Sequence, residues 1–352
     1  MPLLARTIAT PVAIVVRPGA VEGLGGLLAD GRISAGGDVA VAVGPGQGED
    51  ITRRLEDALP AATVWTVEGG TVEAARELAD DLRRAHYDAL VGIGGGRTLD
   101  AAKYAASQVG LPFVAVATNL AHDGLASPVA SLDSAHGRKV SYGVQVPIAV
   151  FVDIDFVRDA PTRHVRSGIG DVLSNLSAVA DWELAARVRG EEVDGLAVAL
   201  ARNAAEAVLG LEADEDTDSY LTTVAESLIA SGIAMTVAGS SRPCSGACHE
   251  IGHALDAFFG SPGAHGEQVA VGALFASWLR EDPRLAQLDA CLRRLRVPRL
   301  PADLGLDTES FVQAVVRAPE TRPGRFTILE HLALDEPAVR KQVHAFLETL
   351  DT

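Results

Sequence analysis

Cysteine is nearly missing from this chain of 352 residues, with Cys244, Cys248 and Cys291 the whole supply. An odd, sparse set in a chain of this length argues against a disulfide framework. Lysine is as scarce: only Lys103, Lys139 and Lys341 occur, so arginine supplies 27 of the 30 basic residues. There is no run of five basic residues, and the formal charge is −17. A nucleic-acid binder needs a cationic face to displace counterions, so nucleic acid is not an expected partner. No apolar run reaches about 18 residues, and Met1 to Thr10 lacks a charged segment followed by an apolar core. A soluble, cytoplasmic protein without a membrane partner is the expectation. Aromatics make up only 5%, and the plain G-x-G-x-x-G fingerprint and the Walker lysine pattern are both absent.

What is present is small and aliphatic. Hydrophobic residues are 48% of the chain and glycines number 35, enough for a large core with tight turns. Short, almost wholly apolar runs at 12–16, 39–43, 63–67, 90–93, 113–117 and 149–153 are bounded by Gly, Pro or Asp. Strands buried on both faces of a parallel sheet read this way. The amphipathic stretches between them, such as 49–59 and 72–86, are long enough for crossover helices. Residues 1–158 are therefore expected to form an α/β, doubly wound, mainly parallel sheet domain. After Asp159-Ala160-Pro161 helical spacing takes over, at 172–189, 194–210, 219–237 and 244–259, and Pro283, Pro298 and Pro301 divide a last group of helices. Residues 159–352 are expected to be all-helical, with the site in the cleft between the two halves.

Ala89-Leu90-Val91-Gly92-Ile93-Gly94-Gly95-Gly96 runs from a strand into a helix expected to begin near Thr98. Consecutive glycines permit a tight turn and let a pyrophosphate approach the N–H groups at a helix start. An ordinary glycine-rich turn reads the same, and both readings stand at this point. His249-Glu250-Ile251-Gly252-His253 matches the H-E-x-x-H pattern, in which both histidines bind zinc and the glutamate activates water. The extended form of that signature fails, because Asp256 stands where Gly is required. A wider set competes: Asp171, in the segment 168–175 expected to open one helix; His249; and His265, in His265-Gly266-Glu267-Gln268, expected to open another element. One carboxylate and two imidazoles leave a fourth position open, as in catalytic zinc. Taken singly, Asp171 reads as a helix cap and His265 as a loop residue.

Several segments together resemble the glycerol-1-phosphate dehydrogenase family, within the iron-containing polyol dehydrogenase and dehydroquinate synthase-like superfamily. They are Gly94-Gly95-Gly96 with Asp100 and Lys103; Thr118 with His122-Asp123-Gly124-Leu125-Ala126-Ser127-Pro128; Gly170-Asp171 with Asn175 and Asp181-Trp182; and Ser231-Gly232 with Ala234-Met235. Further along come Ser241-Arg242-Pro243 with Ser245-Gly246 and His249, His253-Ala254-Leu255-Asp256, His265-Gly266-Glu267-Gln268-Val269, and Arg325-Phe326-Thr327-Ile328-Leu329. The resemblance implies an NAD- or NADP-dependent oxidoreductase with one zinc per chain, acting on a small phosphorylated polyol or ketone and assembled as a homo-oligomer. It implies that Asp171, His249 and His265 hold the metal, and that Gly94, Gly95, Gly96, Arg97, Thr98, Thr118, Asn119, Ala121 and Ser127 hold the dinucleotide. Asp123, Asp171 and His253 then contact substrate, His253 as a proton relay; the H-E-x-x-H pattern would have made it a ligand.

Three departures from the family's pattern stand out: Cys248 replaces the usual Glu before the ligand histidine, Ala121 replaces a Ser, and Ala117 replaces a Pro. Two rival readings are a dehydroquinate synthase-like cyclase, which the scarcity of lysine disfavours, and a non-catalytic paralogue that binds metal and nucleotide. A phosphorylated substrate on so acidic a chain needs local positive charge, for which Arg242 and Arg325 are candidates. The turn Val43-Gly44-Pro45-Gly46-Gln47 offers no acid to an adenine ribose, while Glu49 and Asp50 come slightly later, so both NADH and NADPH are expected to serve.

Overall fold

The buried apolar runs pair as parallel strands because each can satisfy its backbone only against a neighbour while both faces are covered. In the computed structural model, which describes residues 7–31, 33–34, 36–46, 51–53, 59, 62–134, 139–215 and 217–350, six strands form one parallel sheet. They are β1 (Ala13–Arg17), β2 (Val39–Val43), β3 (Thr63–Thr66), β4 (Ala89–Gly94), β5 (Phe113–Ala117) and, after the hairpin below, β8 (Ala149–Asp153). Their spatial order is β1-β8-β5-β4-β2-β3. Every residue of β4, β5 and β8 is buried, whereas the edge strands β1 and β3 are half-exposed. Gly94 lies opposite Ala117 and Ala117 opposite Val152, so the carboxyl ends of the central strands finish level with one another.

The first half holds the helices α1 (Leu24–Leu28), α2 (Val72–Leu82), α3 (Gly96–Val109) and α4 (Ile154–Asp159), of which α2 lies in the expected stretch 72–86 and α3 is the helix expected near Thr98. Most of the stretch 49–59 lies outside the described residues. An unforeseen element is the antiparallel hairpin of β6 (Val129–Asp133) and β7 (Lys139–Gly143). β7 is largely open to solvent and β6 buries only alternate residues, Ala130 and Leu132, so neither carries the continuous apolar run by which the others were recognised. It packs on α3, where the rings of Tyr104 and Tyr142 meet edge-on at 5.1 Å.

The second half is helical, as its spacing predicts: α5 (Thr162–Arg189), α6 (Gly195–Leu209), α7 (Asp218–Ala238), α8 (Ala247–Phe258), α9 (His265–Leu279), α10 (Leu285–Arg294), α11 (Thr308–Arg317), α12 (Ile328–Leu332) and α13 (Glu336–Leu350). By composition α7 could cross a membrane, but 61% of its apolar window is buried in the protein, which makes it a core helix. One expectation needs correcting. The segment 168–175 does not open a helix; it lies in the middle of α5, a helix of 28 residues. Gly168 and Gly170 are there for packing: a Cβ on Gly170 would stand 2.2 Å from the Gly266 carbonyl oxygen, and one on Gly168 would stand 2.1 Å from that of Leu120. The α5 backbone can therefore lie directly against α9 and against the loop after β5.

Candidate metal centre and dinucleotide cleft

At the end of β4 the chain enters α3 within one residue, and no side chain caps the N-terminus of that helix. Its first N–H groups are left for another acceptor, which an anion at a helix start supplies. The glycines leave no room for side chains. A Cβ on Gly95 would lie 2.5 Å from Asn119 Nδ2, and one on Gly96 would lie 1.8 Å from His122 Nε2. Thr118 donates its N–H to the Gly94 carbonyl at 3.0 Å, joining the two strand ends. Asn119 Oδ1 is buried without a hydrogen bond, an acceptor waiting for a donor. Thus Gly94, Gly95, Gly96, Thr98, Thr118 and Asn119 converge, while Arg97 faces solvent. Ser127 sits further along, its hydroxyl donating within its own turn to the Gly124 and Val129 carbonyls. Below this loop the buried Lys103 pairs with Asp100 at 3.2 Å and donates to the Gly124 carbonyl at 2.8 Å.

The same loop reaches the helical half. Ser167 Oγ on α5 donates to the Ala121 carbonyl at 2.8 Å and accepts the Gly266 N–H at 3.1 Å. The Asp123 N–H donates to Asp171 Oδ2 at 2.9 Å. Asp171 Oδ1 faces His249 Nε2 on α8 at 3.5 Å and His265 Nε2, at the first residue of α9, at 4.0 Å. One donor atom from each of the three side chains lies within 4.8 Å of the others, a spacing that can hold a metal ion. Asp171 Oδ1 and His265 Nδ1 are buried yet make no hydrogen bond. An orphaned carboxylate oxygen facing two imidazole nitrogens is a donor set suited to zinc.

Charge is balanced closely here. Burial works against the Asp171 carboxylate, but His249, His265 and the Asp123 N–H hold it down at about 2. Burial likewise opposes charge on His249, but Cys248 and Asp171 outweigh it and lift that imidazole to about 10. Burial lowers His265 to about 4, and it raises Asp123, with help from Asp171, to about 8. Cys248 Sγ lies 3.4 Å from His249 Nδ1, on the ring edge opposite Asp171.

The H-E-x-x-H reading fails on direction. Glu250 Oε2 accepts from Thr327 Oγ1 at 3.0 Å, on the far side of α8, and burial raises its carboxyl to about 9. His253 stands one turn along α8, its ring 6.2 Å from that of His249, and Arg322 Nη2 meets its Nε2 at 3.0 Å. Burial, then Arg322, hold His253 well below its ordinary range, so it is neutral. Of the arginines singled out above, Arg242 is consumed: it forks onto Glu191 and donates to the Phe326 carbonyl. Arg322 and Lys139 carry no motif in the sequence, yet both line, with His253, a groove of about 540 Å³.

A glycine turn at the carboxyl end of a central strand of a parallel sheet, with a carboxylate–imidazole triad on the helical half, fits a metal-dependent NAD(P) alcohol dehydrogenase. Residues 15–161 match the model of the iron-containing alcohol dehydrogenases. A probable glycerol dehydrogenase from Sinorhizobium meliloti shares the fold over 99% of both chains, with a TM-score of 0.78 at 23% identity. The chain is 36% identical to an enzyme from Staphylothermus marinus named glycerol-1-phosphate dehydrogenase, NAD(P)+, over 80% of this chain and 79% of that one. To the enzyme of the same name from Thermofilum pendens it is 42% identical, over 78% of each. The chain belongs to the glycerol-1-phosphate dehydrogenase family.

Proposed function

We propose that this protein reduces dihydroxyacetone phosphate to sn-glycerol 1-phosphate, or acts on a similar polyol phosphate, with NADH or NADPH as hydride donor. The observation that carries the reading is the triad Asp171, His249 and His265, with two orphaned polar atoms, joined by the Asp123 N–H to the loop after β5, which packs against the glycine turn. Residues 1–158 form the dinucleotide half and 159–352 the metal and substrate half. Zinc held by the triad supplies a Lewis acid for a carbonyl or alkoxide oxygen. Gly94 to Thr98, Thr118, Asn119, Ala121 and Ser127 hold the dinucleotide. The uncapped helix start supports that role for its phosphates. Asp123 accepts from a substrate hydroxyl, and its carboxyl, raised to about 8, also holds a proton near neutrality. With Nε2 facing Arg322, neutral His253 presents Nδ1–H to orient substrate. It serves as the proton relay once Nε2 is released. The location is cytoplasmic and the assembly a homo-oligomer.

The test is absorbance at the reduced-nicotinamide band with dihydroxyacetone phosphate and zinc. Net oxidation of both NADH and NADPH, within about a hundredfold of each other, is the expected result. Consumption of a sugar phosphate without net nicotinamide turnover would instead indicate a cyclase.

A further inference from the structure

The groove lined by His253 carries three cations, Lys139, Arg317 and Arg322. Lys139 is bound to Asp256 at 3.2 Å. Arg317 pairs with Glu320 at 3.5 Å and lies over the ring of Phe258. Arg322 differs from both. It donates to Ser241 Oγ at 3.3 Å and faces His253 Nε2, and no carboxylate stands within 4.0 Å of it among the described residues. Behind it Arg325 donates to the same Ser241 Oγ at 3.0 Å and to the Ser245 carbonyl, also without a carboxylate at that range. Two half-buried guanidinium groups therefore share one hydroxyl. Like charges held this way repel, and burial together with Arg322 lowers Arg325 to about 10. The acids that act on them do not neutralise them: burial raises the Glu250 carboxyl to about 9, and Glu191 is paired with Arg242. A folded chain with 47 acidic residues that leaves both arginines without a carboxylate among the described residues offers them to an anion from outside.

We propose that Arg322, backed by Arg325 through Ser241, is the site that binds the phosphate of the substrate, with His253 between it and the metal triad. The assignment rests on the phosphorylated-substrate reading above and identifies the groove residue that enforces it. A guanidinium has five N–H donors in a planar fork, and the two contacts of Arg322 leave others for phosphate oxygens. Arg322 Nη2 is 3.0 Å from His253 Nε2, and the rings of His253 and His265 are 6.0 Å apart, so His253 links the guanidinium to the triad. Phosphate on Arg322 also draws its fork from His253 Nε2, freeing that nitrogen when substrate is present.

The experiment uses the zinc-loaded enzyme with dihydroxyacetone phosphate, unphosphorylated dihydroxyacetone and inorganic phosphate as probes. Inorganic phosphate should compete with dihydroxyacetone phosphate in the unmodified protein. Arg322→Ala and Arg325→Ala should raise KM for the phosphorylated substrate by about tenfold to a hundredfold. KM for dihydroxyacetone should change far less, and in Arg322→Ala the competition by phosphate should disappear. Equal KM changes on both substrates, or phosphate inhibition that survives Arg322→Ala, would overturn the assignment while leaving the dehydrogenase reading intact. If the unmodified enzyme prefers dihydroxyacetone, the phosphorylated-substrate reading fails. Phosphate inhibition abolished by Arg322→Ala would still uphold the anion site in that case.

Discussion

Glu250 and His265 are the side chains whose directions separate the competing readings of α8. Glu250 is adjacent in sequence to the ligand candidate His249, yet its carboxyl points to Thr327. His265 comes from another helix and faces Asp171. We expect His265→Ala to lose bound zinc and to lower turnover by at least about a hundredfold, because it removes one of three protein ligands. Glu250→Gln replaces a protonated acid by a near-isostere that can still accept from Thr327, so zinc content should be full and activity within about twofold. Metal analysis and steady-state rates on both variants decide it; full zinc in His265→Ala would remove that residue from the site. The arginines illustrate the same point. Arg242 and Arg325 stand out in the sequence because they sit in family segments, but only the folded chain shows that Arg242 is committed to Glu191 and that Arg322 meets no carboxylate among the described residues.

At the scale of elements, the metal centre depends on how closely α5 and α9 approach. Gly170 and Gly266 are the contact. A Cβ on Gly266 would lie 1.7 Å from the Ser167 carbonyl oxygen, a backbone atom that cannot rotate away. Gly266→Ala should therefore push α9 off α5, with a stability loss of about 3 kcal/mol and weaker zinc binding, since Asp171 and His265 ride on the two helices. Urea unfolding and zinc titration measure the two effects. A stable variant with unchanged zinc affinity would show that the helices have slack at this point. Asp181 fixes the third helix, accepting the Ala247 N–H at 2.8 Å where α8 begins and the Ile328 N–H at 2.8 Å where α12 begins.

For the whole molecule, zinc would tie α5, α8 and α9 together, so its binding should appear as global stability. Ligand at a hundred times its Kd adds about 2.7 kcal/mol. The sign with pH follows from His249. Its pKa is raised from 6.5 to about 10 in the metal-free chain, so the stability it contributes is complete below about 6.5 and is lost as pH climbs toward 10. Zinc must displace that proton, so its affinity should rise by up to about tenfold per pH unit between 6 and 8. Thermal melts with and without zinc should show a larger upward shift at pH 8 than at pH 6, and none in His265→Ala. A shift that shrinks with pH would contradict the assignment of His249.

By itself the sequence determined the periodic parts: the buried central strands, the glycine turn and the change to helices after Pro161. Each depends on residues within a few positions of one another, and so does the pattern that marks it. The hairpin of β6 and β7 escaped because β6 buries only alternate residues and β7 is largely exposed, so neither carries a continuous apolar run. The unbroken passage of α5 through Gly168 and Gly170 escaped because glycine loosens an isolated helix and is favoured only where another backbone presses against it. The order of family segments pointed to Asp171, His249 and His265, but only the tertiary structure could bring them within reach and turn Glu250 away. Which buried charges are compensated was also decided there, because a charge's partner is set by distance in space: Arg322 meets His253 across 69 residues of sequence.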